Sequence, residues 1–394
     1  MSTLSTSMSR PGTAAPARGT PTVVVLHRGG PFIRGTEAVC LRAAKAFADA
    51  GYHLVVCRNN ACLDNEILAL APSAEIRNFH FPELYLEGLK GTSLPIPAYL
   101  RALFQLMRIA RRHNTVLLYC SGGLPCQLAV PVGRLFRIPV LCHFHHPAAR
   151  RLQYLWLLRL ADKLVFPSVF VQQQSLPYHR KTGSVVYNGI DLTRFQPASS
   201  HTDAWRAKLG ISSDATVIGQ VGALVPNKRP DFLVSAFSSL RKMTTRPLHL
   251  CIVGTGPMEG LLRQMVSDLD IARDVTLTGY VDDVLPYYQH VFDINVLVSR
   301  EEGLGISVIE GSACGLPAVV TNCTGLPEAV RANASGLLFD VADIAGLQNH
   351  LLRLTEDPSL RATMGRAGIE YARERFSADS FETAFMSAVR DLLH

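Results

Sequence analysis

The run Glu302-Gly303-Leu304-Gly305-Ile306-Ser307-Val308-Ile309-Glu310, followed by Gly315-Leu316-Pro317 and the apolar stretch Ala318-Val319-Val320, sets the reading of this chain. Two glycines follow the first acid, and the residues after them carry helical spacing. The stretch after Pro317 is apolar and β-rich. Loop, helix and buried strand in that order belong to a parallel α/β sheet. Bare N–H groups at such a helix start favour an anion, and glycine lets a phosphate come close. The second acid then lies about one turn into the helix, where it can accept hydrogen bonds from sugar hydroxyls. Carboxylate, phosphate-type helix start, carboxylate is an order that suits a nucleotide sugar. A surface loop, an ordinary helix and two solvated acids would have the same spacing.

The alternation extends in both directions. In the second half, strands are expected over 215–221, 248–253, 275–277, 294–298 and 318–321, with helices over 230–242, 258–269, 306–314, 342–355 and 358–376. In the first half, strands are expected over 22–27, 53–57, 115–119, 139–143, 163–167 and 183–187, with helices over 36–50, 97–113, 124–135 and 148–161. The pattern breaks at the polar stretch Phe195–His201, which reads as a linker. The resulting architecture is α/β: a leader over 1–21, one parallel-sheet domain over 22–198, a second over 199–376, and a last helix over 377–394 expected to pack back on the first. Ligands in such sheets bind beyond the carboxyl ends of the strands, here in a cleft between the domains.

A chain of 394 residues with 48% hydrophobic and 18% charged residues can bury two or three cores. No apolar run reaches spanning length. The first 21 residues lack the apolar core of a secretion signal and read as a flexible leader. Nine cysteines are scattered with no Cys-x-x-Cys pair, which fits buried thiols in a reducing cytosol better than disulfides or zinc. The net charge of +7 is uneven: residues 1–198 hold 22 Lys and Arg against 9 Asp and Glu, and the remainder holds 17 against 23. A basic first half can meet nucleic acid, an anionic membrane surface or an anionic substrate.

Further segments narrow these options. Val221-Gly222-Ala223-Leu224-Val225-Pro226-Asn227-Lys228, Val253-Gly254-Thr255-Gly256-Pro257, Leu277-Thr278-Gly279-Tyr280-Val281, the Glu302–Glu310 run, Thr324-Gly325-Leu326-Pro327-Glu328 and Ser335-Gly336-Leu337-Leu338 occur in that order. Together they resemble the donor domain of the retaining glycosyltransferases of family 4, which have the GT-B fold, over about residues 215–376. The first half is similar more loosely, through Gly35-Thr36-Glu37, Ala161-Asp162 and Asn188-Gly189-Ile190-Asp191.

The resemblance implies roles position by position. Glu310 would hold the nucleotide ribose and Glu302 the donor sugar. The N–H groups of Gly305, Ile306 and Ser307 would meet the diphosphate, and Lys228 would neutralise the leaving nucleotide. Tyr280 and Val281 would lie beside the base. Gly35 would let a loop approach the donor phosphates, and His145 would face the donor sugar. The implied reaction moves a sugar from a nucleoside-diphosphate donor to a hydroxyl acceptor, such as a lipid-linked or polysaccharide precursor, with retained configuration, no metal and no other cofactor. Two positions depart from the pattern. Ala223 stands where the family usually has arginine, which leaves Arg229 as the substitute cation, and Arg34 stands where a glycine often precedes Gly35.

Other features have simpler readings. Gly254-Thr255-Gly256 half-resembles a dinucleotide fingerprint, but Gly260 comes one place too late and Pro257 intervenes, so tight-turn packing explains it better. His143, His145 and His146 could suggest a metal, but strand alternation sends neighbours to opposite faces. Arg101, Arg108, Arg111 and Arg112 share a helix with large apolar residues, and Arg150, Arg151 and Arg159 flank Trp156 and several leucines. Such helices suit an anionic interface or an ordinary packed face with solvated arginines, and the former puts the protein in the cytoplasm, peripheral on the inner membrane face. No nucleic-acid module appears, so that partner is not expected. Two other functions stay open: an epimerase or phosphorylase of the same two-domain shape, and a partner subunit that binds nucleotide sugar without strong activity.

Overall fold

The computed structural model describes residues 19–33, 35–82, 95–147, 150–175, 183–199 and 203–394. Arg34, most of the leader, Ala148 and the end of the linker lie outside the described residues.

The amino-terminal half forms a seven-stranded parallel sheet from β1 (Thr22–His27), β2 (His53–Arg58), β3 (Glu75–Asn78), β4 (Thr115–Ser121), β5 (Val140–His143), β6 (Lys163–Phe166) and β7 (Ser184–Val185), in the order β3-β2-β1-β4-β5-β6-β7. The carboxy-terminal half repeats the plan with six strands: β8 (Thr216–Val221), β9 (Leu248–Val253), β10 (Val275–Leu277), β11 (Ile294–Leu297), β12 (Ala318–Thr321) and β13 (Gly336–Phe339), ordered β10-β9-β8-β11-β12-β13. All pairings between these strands are parallel. The order reverses direction at β1/β4 in one sheet and at β8/β11 in the other, and a crevice opens beyond the strand ends at each such point. Burial on both faces explains the apolar runs Val23–Leu26 in β1 and Leu250–Val253 in β9, which carry no alternation.

Helices cover both faces of the sheets. The first half contributes α1 (Gly35–Asp49), α2 (Asp64–Leu70), α3 (Ile96–Arg112), α4 (Cys126–Phe136), α5 (Arg150–Leu155) and α6 (Val169–Ser175). The second contributes α7 (Ala204–Lys208), α8 (Pro230–Leu240), α9 (Glu259–Asp268), α10 (Leu285–His290), α11 (Ile306–Ala313), α12 (Ile344–Glu356) and α13 (Pro358–Arg375), and α14 (Ala378–Leu393) closes the chain. The expected helix over 148–161 is shorter: after α5 the chain takes Leu157 at φ 56 and only a 3-10 turn follows over Leu158–Leu160. Sequence reading missed β3, β13 and the short helices α2, α6, α7 and α10, whose few residues carry too little periodicity to stand out.

Helix α1 shows how local sequence sets the site. Val39, Cys40, Ala43, Ala44 and Phe47 make its buried stripe. It ends where Gly51 turns to φ +83 and Tyr52 N–H returns to the Phe47 carbonyl, the usual glycine stop. Helix α14 crosses back to the first domain: Phe381, Phe385, Ala388 and Val389 pack in one cluster with Phe47 and Tyr119, and Lys45 pairs with Glu382. Phe385 is fully buried, so Phe385→Ala would cost about 3–5 kcal/mol. All nine cysteines are free, seven of them buried. Among the described residues no helix is long and apolar enough to cross a membrane.

Candidate active site

The loops beyond β8 and β11 are clamped together. Arg300 N–H donates to the Asn227 carbonyl at 2.9 Å, and Asn227 Nδ2 donates to the Glu301 carbonyl at 2.8 Å. This clamp brings Lys228 Nζ onto Glu302 Oε1 in an ion pair. Glu302 is buried. Ser299 Oγ donates to the same carboxylate at 2.7 Å, and the Thr324 hydroxyl bridges the Glu302 backbone N–H at 2.8 Å and carbonyl at 2.9 Å. Charge, hydroxyl and backbone together fix that carboxylate within the crevice.

Gly303 and Gly305 explain why the loop needs glycine. A β-carbon on Gly303 would stand 2.0 Å from the His145 carbonyl oxygen of the other domain. Gly305 sits at φ +93 as the cap residue of α11 and offers no side-chain cap, so the first N–H groups of that helix lack intrahelical partners. Ile306, the first residue of α11, faces the start of α1: its Cδ1 would be 3.3 Å from a β-carbon on Gly35. Two helix starts, one from each domain, thus meet across the crevice, and both offer partial positive charge.

Glu310 lies one turn into α11. Tyr288 Oη donates to it at 3.2 Å and to the Ser307 carbonyl at 3.1 Å. Burial pushes the Glu310 carboxyl up to about 7, against the opposing pull of Arg42 and Arg194. Arg42 comes from α1 in the other domain. Its buried Nη1 has no hydrogen-bond partner, and burial lowers its pKa while Glu310 and Asp191 raise it. Nothing in the motif reading marked Arg42; the only signal was a cation two turns into a helix that opens at a glycine.

His145 follows β5, is buried, and pairs Nε2 with Ser121 Oγ at 3.2 Å while Nδ1 has no partner. Burial and the neighbouring histidines hold its pKa well below the ordinary value, so the ring is neutral. His146, which sequence reasoning left without a role, has Glu302, Lys228, Glu301 and Glu37 as charged neighbours. The Tyr280 ring stands 4.6 Å from the Phe32 ring of the first domain, and Val281 packs into the second domain's core.

Arg229 does not join Lys228. It takes φ 48 at the start of α8 and its guanidinium lies 4.0 Å over the Phe232 ring, with Arg300 and Asp231 as charged neighbours. The left-handed turn needed to begin α8 points the side chain along the helix, so this residue does not replace the cation missing at Ala223. Gly254 and Gly256 abut the carbonyls of Gly222 and Leu224, as tight-turn packing requires. Glu328 reaches across the domains: its two oxygens accept Val169 N–H at 2.9 Å and Phe170 N–H at 2.8 Å, and Tyr187 Oη donates at 2.8 Å.

Residues 33–194 match the family Glycosyltransferase Family 4, and residues 201–371 match Glycosyl transferases group 1. The chain belongs to the family 4 glycosyltransferases. It is 28% identical over 308 residues, 73% of this chain and 78% of the other, to a GDP-mannose-dependent alpha-(1-6)-phosphatidylinositol monomannoside mannosyltransferase of Mycobacterium tuberculosis. It is 24% identical over 348 residues, 84% of this chain and 87% of the other, to a UDP-Gal:alpha-D-GlcNAc-diphosphoundecaprenol alpha-1,3-galactosyltransferase of Escherichia coli. The structure of Anabaena HepE in complex with UDP-glucose superposes with a TM-score of 0.80 at 18% identity, covering 94% of this chain and 99% of that one. These likenesses give the two-domain α/β architecture its name, GT-B.

The family 4 chain also carries an apolar, basic surface. Ile96, Leu100 and Phe104 of α3 are 55%, 56% and 58% exposed, Arg108 lies over the Phe104 ring, and Arg111 lies over Phe136 at the end of α4.

Proposed function

We propose that this glycosyltransferase moves a sugar from a nucleoside-diphosphate donor to a hydroxyl of a lipid-linked or polysaccharide-precursor acceptor, with retention at the anomeric carbon. The observation that carries the proposal is the Lys228–Glu302 ion pair beside two opposed helix starts. A diphosphate entering between the starts of α1 and α11 meets the uncapped N–H groups of α11 and competes with Glu302 for the Lys228 ammonium. Glu302, still held by Ser299, then accepts hydroxyls of the donor sugar. Glu310, oriented by Tyr288, accepts the ribose hydroxyls, and Tyr280 and Val281 flank the base. The neutral His145 faces the sugar.

As the donor bond breaks, negative charge grows on the leaving diphosphate, where Lys228 and the helix start are already oriented. These groups do the work a divalent cation does elsewhere, so transfer is proposed to proceed without one and to survive chelation. No protein nucleophile is assigned: the acceptor attacks the face the nucleotide leaves, and a phosphate oxygen takes its proton. The mannosyl- and galactosyltransferase relatives act on phosphatidylinositol-based and diphosphoundecaprenol acceptors, as their names state. We extend that acceptor class to this chain because α3 exposes apolar and basic residues together. Such a helix suits the headgroup region of an anionic membrane and a cytoplasmic, peripheral protein.

Incubating the protein with UDP-, GDP- and ADP-sugars plus acceptor tests the proposal. Free nucleotide should appear only with acceptor present, and NMR of the product should show the donor's anomeric configuration. Nucleotide binding without release would favour a non-catalytic partner subunit, a reading to which Ala223 lends support. Sugar conversion without acceptor would favour an epimerase.

A further inference from the structure

A second polar cluster lies at the far end of the amino-terminal sheet from the crevice. His53 opens β2, Glu75 opens β3, and His113 caps the end of α3 at the turn into β4. Backbone bonds fix all three. His53 N–H donates to the Pro21 carbonyl at 3.0 Å, Thr115 N–H donates to the His113 carbonyl at 2.8 Å, and Glu75 stands in register with Val55. His53 is 3% exposed, and neither of its ring nitrogens has a hydrogen-bond partner. Its Nε2 lies 3.7 Å from Glu75 Oε1, and His113 Nδ1 lies 3.9 Å from the same oxygen. The three atoms fall within 4.8 Å of one another, the one such group of three among the described residues. Arg77 takes the other oxygen of Glu75, which leaves Oε1 turned toward the two imidazoles.

These separations are too long for hydrogen bonds. They are close to what a shared ion needs. Zinc bound at about 2.0–2.2 Å in a tetrahedron sets its ligand atoms roughly 3.3–3.6 Å apart, so side-chain movements of up to about an ångström would complete the fit. Two imidazoles with one carboxylate favour a transition metal over magnesium or calcium, which take oxygen ligands. We propose that His53 Nε2, His113 Nδ1 and Glu75 Oε1 bind one zinc-class divalent ion, with water in the fourth position. The ion would tie β2, β3 and the α3–β4 turn together where the chain enters β1. It takes no part in sugar transfer, because the cluster sits at the amino ends of strands whose carboxyl ends line the crevice.

The test uses the full chain after stripping with a chelator. Zinc is titrated against a chromophoric chelator, and cobalt is followed by its visible absorption. One equivalent per chain is expected, with a four-coordinate cobalt band and a zinc-dependent rise in Tm. Glu75→Gln and His113→Gln lie at partly exposed positions and should keep the fold, yet each should weaken zinc affinity at least tenfold. Calorimetric binding of nucleotide should be the same in these variants as in the parent. No zinc uptake at micromolar free metal overturns the proposal, as does equal uptake by the parent and both variants, which would place the ion elsewhere, for instance on a cysteine.

Discussion

The Gly303 backbone rests against the His145 carbonyl, so closely that a β-carbon there would stand 2.0 Å from the oxygen. Neither atom can yield easily, since both belong to backbone at the junction of two sheets. Gly303→Ala should therefore push the domains apart at the point where Glu302 meets the first half. Displacements of this size cost about a hundredfold in rate. Steady-state assays should show kcat/KM falling by about that factor, with Tm little changed.

Lys228→Ala removes the ammonium that Glu302 holds. If that ammonium stabilises the leaving diphosphate, kcat should fall about a hundredfold to a thousandfold, the usual loss for one preorganised charge stabiliser. Lys228→Arg should recover part of it. Free-nucleotide release under saturating donor measures both.

The Glu310 carboxyl, at about 7, links stability to pH. Its folded pKa lies above its ordinary 4.5, so the native state binds the extra proton between those values. Stability thus falls as pH rises from about 4.5 through about 7, and the cost of holding the carboxylate is complete above 7. At 1.36 kcal/mol per unit that cost is up to about 3 kcal/mol. Denaturant titrations should find Glu310→Gln gaining stability over the parent at pH 8 but not at pH 5, while losing nucleotide affinity at both.

Arg42 pulls the Glu310 pKa down from the opposite domain. Arg42→Met should move the pH midpoint of that stability change upward, and should weaken nucleotide binding near neutrality, where more of Glu310 would be protonated. Comparing the pH profiles of parent and variant tests the pairing; identical midpoints would break it.

Leu100 and Phe104 are more than half exposed, so replacing both with serine should leave folding intact. If α3 meets an anionic interface, the double variant should sediment less with anionic liposomes than the parent. Neither protein should pellet with neutral ones.

Much of this was legible before any coordinates. The runs that became β1, β9 and β12 match their strands end to end, because a strand buried on both faces needs only an apolar run between turn signals. The Glu302–Glu310 spacing gave the acid, helix start and acid directly. What sequence could not supply was pairing across the crevice. Arg42 and Glu310 stand 268 positions apart in the chain, and only the meeting of α1 with α11 joins them. The direction of Arg229 was not legible for a local reason: the left-handed turn at the start of α8 sends its guanidinium to Phe232. His53, Glu75 and His113 were invisible because two strand starts and a helix end converge only in three dimensions, and Glu75 sits on a strand too short to show a pattern.

The central claim is that Glu310 and Lys228 hold one nucleoside diphosphate between the two domains. Calorimetric titration of UDP and GDP into the parent, Glu310→Ala and Lys228→Ala tests it most directly. The account predicts a single site in the parent for at least one of these nucleotides, weakened tenfold or more in each variant. Binding of that nucleotide with unchanged affinity in both variants would contradict it.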